Sequence, residues 1–180
     1  MTAKTTGIEM KRMMLWQDTK GQAAVWGVLA MLLLFLLTAG LVDVYRLYAT
    51  RTWAYTVAQE AALAGVSQGR VWDMYMTNGL VGLNEVVATE NAEQIIQDSM
   101  RIRGVEDYHY EIQVLPLPDG GSVPGYPPVP VRLGEALGDW SSEEASVGVY
   151  LAVPVDWVLL DLFGVPSKGV QVFAAAGVAQ

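Results

Sequence analysis

Residues 23–42, which read AAVWGVLAMLLLFLLTAGLV, decide the fold because they hold no charged side chain. A helix of about twenty residues is about 30 Å long, which matches the thickness of the hydrocarbon layer of a bilayer. A buried core helix seldom needs an uncharged stretch of this length. The stretch therefore predicts a membrane-spanning helix, since only a helix satisfies its own backbone groups inside lipid.

Charge along the chain predicts the orientation of this helix. Residues 1–22 carry four basic and two acidic side chains, whereas residues 43–180 carry seven basic and seventeen acidic ones. Because basic residues favour the cytoplasmic side, we expect residues 1–21 to form a cytoplasmic leader, with everything beyond the helix outside. The lipid bilayer is thus the first predicted partner. An acidic domain repels phosphates, which argues against nucleic acid as a partner.

A cleavable secretory signal is the alternative interpretation of the apolar stretch. Thr38-Ala39-Gly40 is small enough to resemble a cleavage site. However, the stretch is longer than the apolar core of most signal peptides, and the leader before it is long. The helical pattern also continues through Asp43 without a breaker. We therefore expect an uncleaved anchor helix over residues 22–66, with an extension beyond the membrane.

Small residues line one face of this extension at spacings of four, three and four, which places them on one side of a helix. They are Ala54, Ala58, Ala61 and Gly65. Small side chains let another backbone approach closely. We predict a helix-packing interface here, either with a helix of another chain or within the protein's own fold, and we favour the second. Gly65, Gly69 and the Thr77-Asn78-Gly79 turn are predicted to interrupt the helix.

Residues 67–180 predict a small α+β domain. A further helix is expected over 85–103, with Asn84 as its N-cap and Gly104 just after its last turn. The residues predicted to line its core-facing side are Ala88, Ala92, Ile95, Ser99 and Ile102. Alternating apolar residues predict strands over 108–114, 147–153 and 170–178. The expected fold is therefore a long membrane helix, one further helix and a three- to four-stranded antiparallel sheet.

Two segments of this domain each allow two interpretations. Six of the eight prolines fall between positions 116 and 130, so we expect an extended, proline-rich loop over residues 116–134. This loop is either a binding loop that projects from the sheet edge or a mobile connector. Residues 156–163, which read DWVLLDLF, either cap the core or form a surface for a neighbouring subunit, and we favour the cap.

Catalytic and metal-binding patterns are missing from the sequence. His109 is the sole histidine and the chain has no cysteine, so zinc lacks ligands. Ser141 and Ser142 have no local motif that would bring them to His109 as a nucleophile–base pair. Phosphate-binding and dinucleotide-binding motifs are also absent. We predict a protein that is not an enzyme, with no cofactor, no metal and no small-molecule substrate.

Several segments resemble a known family. GQAAV at residues 21–25, the apolar stretch and VDVYRLY at residues 42–48 are similar to pilus-assembly pseudopilins of the TadE/TadG type, from the tight-adherence (Tad) system. AQEAALA at residues 58–64 continues the resemblance. It returns near the C-terminus at residues 147–150, 159–164 and 170–177. The resemblance implies a pilin-like architecture.

What this resemblance implies for function is a single-pass inner-membrane protein that acts with other pilin-like subunits and the pilus-assembly machinery. It would be a minor pseudopilin for assembly or priming of a Tad/Flp-type adhesive pilus, which is type IV pilus-like. It implies prepilin-peptidase cleavage between Gly21 and Gln22. Trp26 stands where the family usually has a glutamate, which favours a membrane-resident accessory subunit. The alternative is a tethered binding or scaffold module that recruits a ligand through its proline-rich loop.

Overall fold

The chain folds as one long helix whose second half packs into an α+β body. The computed structural model describes residues 6–72, 76, 80–128, 139–164 and 169–178, with side chains from Gly21 on except those of Leu160 and Leu162. In chain order the elements are α1 (Thr6–Gly69), β1 (Arg70–Val71), β2 (Gly82–Leu83), α2 (Glu85–Arg103), β3 (His109–Leu115), β4 (Gly121–Val123), β5 (Trp140–Ser142), β6 (Ser146–Val153), α3 (Leu159–Leu162) and β7 (Val170–Gly177). The predicted fold class is confirmed.

Helix α1 is continuous through the whole apolar stretch and its extension. It begins at Thr6, inside the predicted leader, and ends at Gly69. The prediction that Gly65 interrupts it was wrong. A Cβ at Gly65 would lie 2.9 Å from the backbone oxygen of Ala88, so glycine is needed there because α2 comes so close, not because the helix breaks. The predicted turn at residues 77–79 lies outside the described residues.

Helix α2 has the predicted bounds, and local signals explain both ends. The Oδ1 atom of Asn84 accepts a hydrogen bond from the Val87 amide at 3.2 Å, which is the usual N-cap contact. At the other end Gly104 has a φ of 68°, and its amide donates to a carbonyl of the last turn. Such a left-handed residue favours glycine and terminates the helix.

The side of α2 that faces the core differs from the prediction. Ala88 and Ala92 are buried as expected, but Ile96 and Met100 follow them into the core. Ile102, which was predicted to face inward, is 85% exposed. The buried residues follow one row of four-residue steps, which is the ridge that packs against a neighbouring helix. Apolar residues on both sides of this row made the two faces hard to distinguish.

The two helices lie against one face of a three-stranded antiparallel sheet. Its order is β3-β6-β7, with Ile112 opposite Val149 and Val149 opposite Ala174. Helix α1 contacts α2, β6 and β7, while α2 contacts β3. The predicted inward residues of β6, from Val147 to Val153 in steps of two, are buried in this core. We call residues 54–69 of α1, together with the described residues after them, the folded body.

The other face of the sheet is covered by the first part of the proline-rich segment. Strand β4 pairs with β5, and the two bring Tyr126 and Trp140 onto Tyr150 and Phe173. Tyr126 is 4% exposed, and its hydroxyl lies 2.9 and 3.0 Å from the carbonyl oxygens of Glu111 and Gly148, which share its single proton. The expectation that this segment projects from the sheet edge was therefore wrong for residues 121–126, whereas a binding role for the segment stays a prediction. Residues 129–134 of the predicted loop lie outside the described part.

Candidate functional site

The first half of α1 exposes large apolar side chains. Among the described residues, this is the one helix long and apolar enough to cross a membrane, and its most apolar window has a mean hydropathy of 2.5 with none of it buried. Met31, Leu34 and Phe35 are each about two-thirds exposed or more. A core helix hides such residues, whereas a lipid-facing helix leaves them free to contact hydrocarbon chains. These features fit a membrane-anchored protein.

Asp43 fixes the folded body to the end of this apolar half. It is 3% exposed, and its two carboxylate oxygens accept hydrogen bonds from the amides of Val158 and Leu159 at 2.7 and 2.9 Å. A buried carboxylate is tolerated only when such donors replace water. Three residues later, the guanidinium of Arg46 lies 3.4 Å from the carbonyl of Asp156. The segment from Asp156 to Gly164 is thus held against α1; we call it the junction segment.

The junction segment also lies beside the last residues of the apolar stretch. A Cβ added at Gly40 would be 3.6 Å from Cδ2 of Leu159. Leu36, Ala39 and Gly40 are half-buried, while the other residues from Gly21 to Val42 are exposed. These three lie on the same side of the helix as Asp43. Trp157 packs on the core, which agrees with the favoured cap, but Val158 and Phe163 remain 46% and 65% exposed.

The predicted small-residue stripe lies inside the protein's own core. Ala54, Ala58 and Ala61 are fully buried, and Gly65 is buried against Ala88 and Val147. Small residues here let α1 approach α2 and the sheet closely. This is the packing that we favoured from the sequence. Contact of the stripe with a helix of another chain stays a prediction.

A different face of α1 is exposed from the end of the apolar stretch onward, and sequence reasoning missed it. Its large members are Leu41, Tyr45, Tyr48, Tyr55 and Leu63, all between 39% and 74% exposed. The first three follow at spacings of four and three, so they line one side of the helix. This spacing of large side chains was the signal that could have revealed the face. The exposed face is continuous with the lipid-facing surface of the anchor.

The predicted cleavage position lies on the exposed surface of α1. Gly21 and Gln22 are exposed, and a Cβ at Gly21 would meet nothing within 4 Å. Trp26 is 66% exposed. The predicted cut therefore lies at an exposed position of the helix. Cleavage between Gly21 and Gln22 stays a prediction.

The candidate chemical residues are not assembled into a reactive site. The Nε2 atom of His109 lies 3.2 Å from Oε1 of Glu111, and both residues are at the surface. Ser142 uses its hydroxyl to donate to the carbonyl of Glu144. Within the described residues no group of three potential metal ligands occurs. A cleft of about 600 Å³ near the junction segment is lined by both Arg46 and Arg103 and by Glu106 and Asp107, a mixture that selects no charge class of ligand.

The comparison with known families falls on α1. Residues 21–68 match the family described as putative Flp pilus-assembly TadE/G-like. The predicted resemblance is thereby confirmed for this segment. No curated protein and no solved structure matches the chain.

The TadE/G-like segment covers both halves of α1. It starts at Gly21 and ends one residue before the helix does, so it includes the anchor, Asp43 and the buried small-residue stripe. It includes neither α2 nor the strands. The match supports a role related to Tad pilus assembly, and such a role suggests a structural rather than a catalytic protein. The C-terminal echoes at residues 147–150, 159–164 and 170–177 lie outside it.

Proposed function

We propose that this chain is a membrane-resident, pilin-like subunit, a minor pseudopilin that takes part in assembling or priming a Tad/Flp-type adhesive pilus. One observation carries the proposal: the TadE/G-like segment is a single helix with an exposed apolar half and a buried small-residue half. An enzyme tethered to a membrane needs only the first half. Here the second half also forms part of the core of the folded body, so one helix serves both as anchor and as structural core.

The proposed location is the inner membrane, with the leader in the cytoplasm and the folded body outside. Four basic residues precede the apolar stretch, and the acidic bulk follows it, which is the charge distribution of a helix with a cytoplasmic N-terminus. A tag at Gln180 should be degraded by protease added to spheroplasts. A tag that is protected until the membrane is dissolved would contradict this orientation.

Trp26 supports residence in the membrane rather than in a filament. A charge within lipid needs a partner of opposite charge. In the related pilins, the new terminal amine of one subunit is neutralised by a glutamate of a neighbouring subunit, five residues after the cut. Trp26 is large, apolar and exposed, so it offers no carboxylate. If cleavage occurs, N-terminal sequencing will start at Gln22; an uncleaved chain will start at Met1 or Thr2. Recovery in sheared pili rather than in membranes would contradict the accessory role.

The partners are other pilin-like subunits, and the exposed face of α1 is the surface we assign to them. Tyr45 and Tyr48 lie on it just beyond the apolar stretch. Because the chain has no cysteine, a Tyr48→Cys variant gives one defined cross-linking position. We expect it to capture a pilus-assembly protein in membranes. Leu117→Cys, exposed on the folded body, is the matched control and should capture much less.

The decisive experiment removes the protein and restores it in parts. A Tad-piliated strain without the chain should lose surface pili, counted by electron microscopy, and the full chain should restore them. A version with residues 23–42 replaced by an unrelated membrane helix keeps the anchor but loses the native surface. If that version restored piliation fully, the helix would be only a tether. Normal piliation without the chain would refute the proposal.

A further inference from the structure

The junction segment lies where the surface of a bilayer must be. Residues 23–42 are uncharged and fit the hydrocarbon thickness. At a rise of 1.5 Å per residue, Gly40 lies about 3 Å inside the end of this stretch and Leu36 about 9 Å inside. Leu159 contacts the helix at Gly40. A segment that touches the helix at this depth cannot be surrounded by bulk water when the helix spans a membrane.

Its exposed side chains suit that position. Val158 and Phe163 are 46% and 65% exposed, although large apolar residues normally avoid water. The Asp43 carboxylate already satisfies the amides of Val158 and Leu159, and the amide of Gly164 donates to the carbonyl of Asp161. Unsatisfied amides are what normally bars irregular chain from lipid. Its own carboxylates, Asp156 and Asp161, are exposed and limit how deep it can go, because charged groups stay near the headgroups.

We infer that the junction segment is a second membrane contact: Val158 and Phe163 insert into the boundary between headgroups and acyl chains of the bilayer that α1 spans. The occupant of this apolar surface is lipid, because Leu159 of the same segment lies beside Gly40, inside the stretch that fits the hydrocarbon layer. Two contact points restrict the angle between the folded body and the membrane plane more than one helix alone does. The two exposed aspartates predict weaker insertion into strongly anionic bilayers than into zwitterionic ones.

This inference rests on the membrane anchor but not on any pilus role. It is tested with the full chain in phosphatidylcholine vesicles at a low protein-to-lipid ratio. Single cysteines, which the natural sequence lacks, carry a polarity-sensitive fluorophore at Phe163, at Phe35 in mid-anchor, or at Leu117 on the folded body. We expect lipids brominated near the headgroup to quench the Phe163 probe strongly and the Leu117 probe hardly at all. The Phe35 probe should be quenched best by bromines deep in the chains.

The outcomes separate the inference from its foundation. Quenching at Phe35 without quenching at Phe163 would overturn the inference and leave the anchor intact, whereas quenching at neither would overturn both. The Phe163 probe could also be buried without being quenched by brominated lipid. If that burial persisted in detergent, at concentrations where the protein self-associates, another protein chain would cover the segment. That result too would overturn the inference. In a Phe163→Ser variant the anchor helix should enter vesicles as efficiently as in Ile102→Ser, the exposed control. The folded body of the Phe163→Ser variant should nevertheless have greater rotational freedom.

Discussion

The two halves of α1 are equally helical, yet they face different surroundings. Between Gly21 and Val42 the helix carries large side chains that are exposed. Between Ala54 and Gly69 it carries alanines and glycines on its inner side, and these are buried. Side-chain size and polarity both separate them. Lipid accommodates any apolar shape, whereas a neighbouring backbone fits closely only against small residues. The outward side of the second half carries exposed polar residues, Gln59, Glu60 and Gln68. Asp43 directly follows the first of these two regions in the sequence.

Ile96 and Ile102 on α2 give the largest test of this contrast. Ile96 is fully buried, facing the small-residue half of α1, whereas Ile102 is 85% exposed. Ile96→Ala should lower the free energy of unfolding by about 2–5 kcal/mol, because it leaves a cavity against a tightly packed helix. Ile102→Ala should change it by less than about 0.5 kcal/mol. Denaturant titration in detergent, followed by tryptophan fluorescence, measures both; equal losses would mean that the core lies elsewhere.

Glycine replacements compare the two halves directly. A Cβ at Gly65 would lie 2.9 Å from the Ala88 oxygen, whereas one at Gly27 would meet nothing within 4 Å. Gly65→Val should therefore destabilise the folded body by about 1–3 kcal/mol through overpacking. Gly27→Val, the control in the anchor half, should leave unfolding unchanged. A harmless Gly65→Val would show that α2 is not packed closely on α1.

Much of this architecture could be predicted from the sequence, because its signals are local. The apolar stretch, Asn84 with Gly104 and the alternation of Val147, Val149 and Leu151 each depend on neighbours within a few residues. What escaped prediction depends on distant partners. Asp43 meets Val158 across 115 positions, and Tyr126 reaches Gly148 across 22. Nothing near either residue indicates the contact, so the junction and the covered outer face of the sheet appear only in three dimensions.

Asp43 offers a smaller and more local test at the border between the halves. Asp43→Ala removes the acceptor for the amides of Val158 and Leu159. As with other lost helix caps, we expect a cost of about 0.5–2 kcal/mol. Faster hydrogen exchange at these two amides should accompany it. Asp156→Ala removes an exposed carboxylate from the same segment and serves as the control; equal exchange in both variants would mean that Asp43 does not hold the segment.

Tyr126 gives the smallest effect and tests the sheet face that α1 does not touch. Burial raises the pKa of Tyr126, and it also raises that of Tyr150. The folded state therefore holds these protons more tightly than the unfolded state, whose tyrosines have a pKa near 10.0. Their stabilising contribution is complete below pH 10 and is lost as the pH rises further.

Tyr126→Phe should cost roughly 0.5–1.5 kcal/mol at pH 8, since one hydroxyl that serves two carbonyls is lost. Its deficit should shrink above pH 10, because the natural protein loses stability there and the variant has one titrating hydroxyl fewer. Tyr55→Phe, at a position on the exposed face of α1, should change the free energy of unfolding at pH 8 by less than about 0.5 kcal/mol. A deficit that stayed constant up to pH 11 would contradict the buried position of the Tyr126 hydroxyl.

Because α1 is continuous, a tilt of its membrane-spanning part also moves the folded body. From Asp43 to Gly69 the helix runs about 39 Å, so a tilt of about 20° in the bilayer shifts its far end sideways by roughly 13 Å. No hinge absorbs that swing, since the helix is continuous from Thr6 to Gly69. Small changes in the tilt of the anchor would thus produce larger lateral displacements of the folded body.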